Sequence, residues 1–347
     1  MNLSQLPLKN KSFLLVISIA LIFSFFFVSI IYNDAFVASI ATEGRKAQSP
    51  GRVFVMYAGS LVKIFETSLG PSFQNKTNYT YIGEGKGSVQ IANLIVDGFR
   101  KPDIFVSVGT IPNMKLVDNK PPLTNWSIKF ASAEMVIAYS PKSPFYNELE
   151  KARTGQLPWY KVMSEKDFKF GRTDPELDPK GYNMIIAAKL ANIYYNDSSI
   201  KQTILGEDRN PKQIFPEETL NTILESGQVD AIAAYKHEAI SRGLLYITLA
   251  PQINLGNSDF STYYKQGSYT FSYNNANGKK TVFGAPIYFS VTIPTTVQNV
   301  NGAIAFVNYL ISHNDTGKTL LEKQGLDYLK IPIVEGNISK IFSSILT

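Results

Sequence analysis

Four segments of the sequence place a small or acidic residue where a helix is expected to begin after a strand or loop. They lie at Ser60, at Ser88, in the Asp178-Pro-Lys-Gly run, and at Glu217-Glu218. The first turn of a helix carries unpaired backbone N–H groups and about half a positive charge. Several such ends meeting at one place can bind an oxyanion without a cationic side chain. A single serine at a helix start is more often only a cap, so the interpretation depends on the whole set.

The sequence lacks the residues that several other kinds of chemistry require. The sequence has no cysteine and only two histidines, His237 and His313, which argues against thiolate chemistry and against a histidine-rich metal centre. Gly317-Lys318-Thr319 lacks the first glycine of a phosphate-binding loop, and no Gly-x-Ser-x-Gly elbow occurs. We expect no enzyme, no cofactor and no bound metal cation, with a membrane-tethered hydrolase as a minor alternative. His237 is expected at the surface beyond a strand.

The candidate residues belong to an alternation of strands and helices. Strands are predicted in RVFVMYA from Arg52, NYTYIG from Asn78 and PDIFVSV from Pro102, and a helical apolar pattern follows the first two of them. Further along, FASAEMVIAYS and GAPIYFSVTI are predicted strands, and MIIAAKLANIYY and PEETLNTILESG are predicted helices. This alternation predicts a parallel sheet covered by helices, and open α/β sheets bind ligands beyond the carboxyl ends of their strands.

An uncharged apolar run of twenty residues, 13–32, precedes this part of the chain. At about 1.5 Å per residue it is long enough to span roughly 30 Å of hydrocarbon. Lys9 and Lys11 lie just before it, which predicts that 1–12 is cytoplasmic and that the rest of the chain is outside. We expect a retained transmembrane anchor followed by a linker over 33–51, and cleavage within 35–41 stays an alternative.

Composition and short motifs agree with an extracytoplasmic binding protein. The 347 residues allow two lobes, and 34 basic against 28 acidic side chains give a charge of +6, which permits an anionic ligand but does not demand nucleic acid. We expect a monomer that binds no nucleic acid. The Asn-x-Ser/Thr sequons predict surface glycosylation at Asn75, Asn78, Asn125, Asn196, Asn314 and Asn337.

Seven segments follow one another in the order typical of a known family. They are YAGSLVKIFE (57–66), GEGKGSVQIANLIVDG (83–98), KPDIFVSV (101–108), GRTDPELDPKGY (171–182), SGQVDAIAAYKHEAI (226–240), TLAPQINLGNSD (248–259) and GAPIYFSVTIP (284–294). In this combination the chain resembles the archaeal molybdate/tungstate-binding proteins of ABC transporters over roughly 52–332.

The resemblance implies an α/β, two-lobed periplasmic-binding-protein fold of type II with mixed sheets. Lobe 1 would comprise 52–133 and 284–332, lobe 2 would comprise 134–283, and 333–347 would be a C-terminal tail. The protein would capture tungstate or molybdate in the cleft between the lobes and deliver the anion to a membrane permease. Its location would be the outer face of the cytoplasmic membrane.

The resemblance also implies the ligand-binding residues. Ser60 and Ser88 match the binding serines of the family, Asp178 matches a binding aspartate, Tyr235 matches a tyrosine at a strand end, and the backbone amides near Lys180 and Glu217 would contact the anion. Asp178 would either coordinate the metal centre of the oxyanion or cap its helix away from the ligand.

Two positions depart from the family pattern. Relatives that add carboxylates to the metal centre carry Glu-Tyr where this chain has Ala234-Tyr235, and the usual Ser-Ala-Asp is replaced by Ser107-Val108-Gly109-Thr110. These departures keep a second ligand class open, namely sulfate, phosphate or an organic solute in the same fold.

Overall fold

The computed structural model describes residues 51–272, 278–311 and 316–338. The predicted cytoplasmic segment 1–12, the predicted anchor 13–32, nearly all of the linker 33–51, His313 and the sequon at Asn314 lie outside these ranges. No helix within the described ranges is both long and apolar enough to cross a membrane.

The strands of the described chain form three sheets. The strands are β1 Arg52–Ala58, β2 Thr80–Lys86, β3 Ile104–Val108, β4 Trp126–Ala133, β5 Met135–Tyr139, β6 Phe170–Gly171, β7 Ala231–Tyr235, β8 Leu245–Thr248, β9 Ser268–Ser272, β10 Lys279–Phe283, β11 Ile287–Thr292 and β12 Asp327–Gly336.

Helices connect these strands. The first, α1, is a continuous helical stretch of a 3₁₀ turn Gly59–Leu61, an α turn Val62–Ile64, a π turn Phe65–Leu69 and an α-helix Gly70–Thr77. The others are α2 Ser88–Val96, α3 Ile111–Val117, α4 Tyr146–Arg153, α5 Trp159–Met163, α6 Pro179–Tyr194, α7 Ile200–Leu205, α8 Glu217–Ser226, α9 Lys236–Arg242, α10 (a 3₁₀ turn Ser258–Phe260 and an α turn Ser261–Tyr264), α11 Val300–Ile311 and α12 Thr316–Lys323.

The larger sheet is mixed and has six strands in the order β12-β4-β11-β3-β1-β2. β1 pairs in parallel with β2 and β3, as the alternation of strands and helices predicts. β11 then inserts antiparallel between β3 and β4, and β12 pairs antiparallel with β4 at the edge. β11 and β12 are far in sequence from the strands that they pair with, so the local alternation of strands and helices does not predict whether they pair in parallel or antiparallel.

The edge strand β12 extends the larger sheet beyond residue 332, where the tail was expected to begin. Ile333 to Gly336 pair with Lys129 to Trp126 of β4. A register shift between Tyr328 and Ile333 accommodates Pro332, which has no N–H to give to a ladder and is tolerated at a sheet edge. Backbone pairing with β4, rather than a side-chain pattern, orders these residues.

The second sheet has four strands in the order β6-β7-β5-β8, and β9 and β10 form a separate hairpin. The runs MVIAY in β5 and AIAAY in β7 are buried along their whole length because helices cover both faces of this sheet. The chain passes from β4 in one sheet to β5 in the other through Glu134, which pairs with Lys236 at 2.6 Å and accepts a hydrogen bond from Asn254 at 2.8 Å.

Candidate functional site

Two glycines bring the starts of α1 and α2 very close to the side of the molecule built around the four-stranded sheet. A Cβ atom on Gly59 would lie 2.2 Å from Cγ of Glu217, and one on Gly87 would lie 2.6 Å from the carbonyl oxygen of Leu177. Both distances are far below van der Waals contact, so only glycine fits. The serines that follow, Ser60 and Ser88, are therefore each one residue away from a tight contact with the start of α8 or of α6.

Both serines are buried but differ in their hydrogen bonds. Ser88 is fully buried, and its Oγ accepts a hydrogen bond from the amide of Val108 at 3.2 Å. Ser60 is only 3% exposed, and its Oγ has no hydrogen-bond partner in the described part of the chain. A buried hydroxyl without a partner is costly, which marks Ser60 as a group able to bind a ligand.

Asp178 caps α6, one of the two roles left open by the sequence. Its Oδ1 accepts hydrogen bonds from the amide of Lys180 at 2.8 Å and from Oγ1 of Thr173 at 3.0 Å. The position of a Cβ on Gly87 lies 3.2 Å from the other oxygen, Oδ2. Burial raises the pKa of Asp178, against the opposing effect of Lys180. The amide of Lys180, expected to face the anion, is thus already engaged in the cap.

The side chain of Lys180, on α6, connects this helix to α8 and α9. It is fully buried, and its Nζ donates to Oε1 of Glu217 at 3.0 Å and to Oε2 of Glu238 at 2.9 Å. Asn221 donates to Oε1 of Glu238 at 2.7 Å. We call Asp178, Lys180, Glu217 and Glu238 the charge cluster. Sequence reasoning missed Glu238 and Asn221. Glu238 accepts a hydrogen bond from the amide of Tyr235 at 3.4 Å at the start of α9, but tyrosine is not a usual N-cap residue, so no capping signature marks this glutamate in the sequence.

The carboxyl groups of the charge cluster differ in their pKa values. Burial raises the pKa of Glu217 to about 8, although Lys180 opposes that rise. For Glu238, burial also acts to raise the pKa, but Lys180 and Asn221 outweigh it and lower the value. The two residues therefore differ because Glu238 has partners on both oxygens while Oε2 of Glu217 has none within the described ranges.

Tyr235 and His237 border the candidate site on the side of the four-stranded sheet. The hydroxyl of Tyr235 accepts a hydrogen bond from Nδ2 of Asn183 at 3.4 Å, and its ring stacks on the ring of His237 with centroids 5.9 Å apart. The expectation that His237 lies at the surface is wrong, because it is only 2% exposed. α9 begins immediately after β7, which turns residue 237 inward. Burial lowers the pKa of His237 to about 4, so the ring is neutral.

Ala234, at the position where relatives carry a glutamate, has apolar surroundings. Ala234 is fully buried in a small core cluster with Val136, Leu220 and Ala239. The nearby carboxylates of this chain come instead from the starts of helices. Within the described ranges, no group of three or more histidine, aspartate or glutamate side chains could hold a metal ion.

A cavity of about 260 Å³ borders the site. Its lining includes Gly87, Asp178 and Glu217, so it reaches the helix starts from the solvent side. Lys86, at the end of β2, pairs with Glu218 of α8 at 3.0 Å beside this cavity. The site therefore lies between elements of the two large sheets.

Comparison with known proteins identifies the family. The family model for bacterial extracellular solute-binding proteins matches residues 53–327. This chain belongs to that family. The solute-binding protein is 29% identical over 328 residues to the molybdate/tungstate-binding protein WtpA of Pyrococcus abyssi, a match that covers 85% of this chain and 90% of that protein. The resemblance inferred from the seven segments is confirmed.

Solved structures confirm the two-lobed fold of the solute-binding protein. The periplasmic molybdate-binding protein of Azotobacter vinelandii has a TM-score of 0.53 at 14% identity and covers 80% of this chain and 99% of its own. The sulfate-binding protein SubI of Mycobacterium tuberculosis has the same TM-score at 12% identity and covers 81% of this chain and 87% of its own. At these identities the likeness concerns the fold alone. The exact lobe boundaries and the ligand-binding residues stay predictions.

Proposed function

We propose that this solute-binding protein captures a tetrahedral oxyanion, tungstate or molybdate first, and delivers it to an ABC permease. The buried, unpartnered hydroxyl of Ser60 carries the proposal, because Ser60 lies in the first turn of α1 next to Gly59, which packs against Glu217 at the start of α8. Similarity to WtpA supports the choice of anion.

Lobe closure around a desolvated anion would supply the binding energy. Ser60 and Ser88 would donate hydroxyl hydrogen bonds, and the first turns of α1 and α2 would add backbone N–H groups and their partial positive charge. The anion would lie in surroundings from which water is excluded, where each charge-assisted hydrogen bond is stronger than in water. No surplus surface lysine is needed for this mode of binding.

Asp178 determines how the anion is held. A carboxylate beside a dianion is repulsive, so Asp178 would either coordinate the metal centre of the cargo or stay as the cap of α6. The second role is already satisfied by its bonds to Lys180 and Thr173. We keep direct coordination by Asp178 as part of the proposal, together with contacts from Tyr235 and the backbone near Glu217.

The cellular setting is also proposed. The apolar run 13–32 would anchor the chain to the membrane, so that the binding domain acts at the outer face beside its permease. The sequon asparagines that the structure describes are all exposed, as glycosylation would require: Asn75, Asn78, Asn125, Asn196 and Asn337.

Calorimetric titration of the full-length protein in detergent tests this function. Tungstate and molybdate should bind saturably, and the double substitution Ser60→Ala with Ser88→Ala should abolish binding because two hydroxyl donors are lost from a desolvated site. Ser72→Ala on α1, whose hydroxyl contacts Tyr309 at 2.6 Å instead, is the matched control and should keep the affinity. Unchanged tungstate affinity in the double variant would refute the site.

A second titration separates the ligand classes. Sulfate or phosphate is titrated into the tungstate-loaded protein, first to equal concentration and then to excess. If neither sulfate nor phosphate displaces tungstate, the proposed cargo is supported. Displacement by sulfate at equal concentration favours the second ligand class, a site for sulfate or related solutes in the same fold.

A further inference from the structure

Glu217 occupies an unusual position at the start of α8. It lies directly against Gly59, next to Ser60, and only 7% of the residue is exposed. Its Oε1 accepts a hydrogen bond from Lys180, while Oε2 is buried without a partner in the described part of the chain. Within the described ranges two buried oxygens thus lack partners on either side of the contact between Gly59 and Glu217: Oγ of Ser60, the residue after Gly59, and Oε2 of Glu217 itself.

The charges around Glu217 do not favour a dianion. At the start of α6 it faces Lys180 and Asp178, and on α9 it faces Glu238. Beside this point Lys86 and Glu218 form an ion pair at 3.0 Å near the surface, and their charges compensate each other. If every carboxyl group were ionised, the charge cluster would carry three negative charges and one positive charge. A dianion would then enter a buried site that already has two excess negative charges, at a large electrostatic cost.

Glu217 is the carboxyl group of the charge cluster whose second oxygen is buried without a partner in the described part of the chain, and its protonation would remove part of that electrostatic cost. Glu238 uses both carboxylate oxygens for Lys180 and Asn221, and Asp178 uses Oδ1 for two hydrogen bonds. A proton on Oε2 of Glu217 would leave its Oε1 bonded to Lys180 and would turn the unpartnered oxygen into a donor.

We infer that Glu217 is protonated in the anion-bound state and donates a hydrogen bond from Oε2 to the anion, so that oxyanion capture is linked to proton uptake. The proton comes from solvent, stays on Glu217 while the anion is bound, and returns to solvent after release. No bond of the anion is broken. This inference rests on the proposed function.

The electrostatics of the free protein agree with this role. Burial raises the pKa of Glu217 to about 8 before any anion is present, and a bound dianion would raise it further. Glu217 is therefore largely protonated near neutral pH, and the linkage becomes measurable above it. Tungstate itself is a full dianion over the same range, so a pH dependence of its binding reports on the protein.

Titration of tungstate into the full-length protein at a series of pH values tests the inference. In wild type, the affinity should fall about tenfold per pH unit above about pH 8, and calorimetry in two buffers of different ionisation enthalpy should show uptake of nearly one proton at about pH 9. Glu217→Gln, whose amide donates without a proton, should remove both effects and bind tungstate about tenfold tighter than wild type at about pH 9. Glu218→Gln is the matched control and should keep the wild-type slope.

The outcomes are distinguishable. Tungstate binding without proton uptake in wild type, or an unchanged slope in Glu217→Gln, overturns the inference and leaves the proposed function standing. Loss of the slope in Asp178→Asn with retention in Glu217→Gln would place the proton on Asp178 and also overturns it. Absence of tungstate binding at every pH refutes the proposed function itself. Proton uptake is measured on wild type alone, so the test survives a variant that does not fold.

Discussion

Replacing Gly87 by alanine should weaken anion binding. The backbone of Gly87 has φ −53° and ψ 130°, which alanine adopts without strain. The added Cβ would instead lie 2.6 Å from the carbonyl oxygen of Leu177 and 3.1 Å from Cβ of Asp178. The first of these neighbours is backbone and has little freedom to move, so the contact across the two sheets has to open.

The expected magnitude follows from this contact. The carbonyl of Leu177 accepts a hydrogen bond from the amide of Gln90 at 2.9 Å, and separating the two elements stretches that bond. Overpacking costs about 1–3 kcal/mol, and a lost neutral hydrogen bond costs about 1 kcal/mol. Because the structure relaxes in part, we expect the free energy of anion binding to become less favourable by about 2 kcal/mol. This corresponds to an affinity about 30-fold weaker.

The assay combines a titration with two melting curves. Tungstate affinity is measured calorimetrically for wild type and Gly87→Ala, and thermal unfolding is followed with and without the anion. The stabilisation by tungstate should shrink, because the arrangement that holds the anion contains the contact that the added Cβ forces apart.

Gly171→Ala provides the matched control. Its Cβ would lie 3.1 Å from Cγ2 of Ile232 and from Cδ1 of Leu220, within the packing of the four-stranded sheet. It should lower the ligand-free melting temperature and leave the affinity unchanged. The reasoning is refuted if Gly87→Ala binds tungstate within about twofold of wild type, because an unrelieved 2.6 Å contact would cost more than that.

Two further predictions concern the buried charges. Lys180→Met should lower the free energy of unfolding by about 3 kcal/mol in urea titrations, because it leaves Glu217 and Glu238 without their common partner. A loss below about 1 kcal/mol would contradict a stabilising role of the bonds from Lys180 to these two glutamates. Burial lowers the pKa of His237 to about 4 from the ordinary 6.5, so protons bind preferentially to the unfolded chain between these values. His237 thus contributes stability that is complete above pH 6.5 and is lost as the pH falls toward 4, by about 3 kcal/mol, and His237→Gln should remove this part of the pH dependence of urea unfolding. An identical pH profile in wild type and His237→Gln would show that the buried neutral ring does not cause it.

The sequence by itself determined the local features of this protein. Helices begin at or beside Ser60, Ser88, Asp178 and Glu217, where small, acidic or proline residues end a strand or loop, because these start signals depend only on neighbours in the chain. The strand and helix alternation predicted the parallel pairing of β1 with β2 and β3 for the same reason. The order of seven segments was sufficient to recognise the family.

Only the tertiary structure decided what these elements bring together. The antiparallel insertion of β11 and the extension of β12 to Gly336 depend on pairing between residues well over a hundred positions apart. Burial of His237 and the bonds of Lys180 to Glu217 and Glu238 likewise join α6, α8 and α9, which no local pattern relates. Hydrogen bonding and desolvation act through space, so the protonation of the charge cluster is a property of the fold and not of any motif.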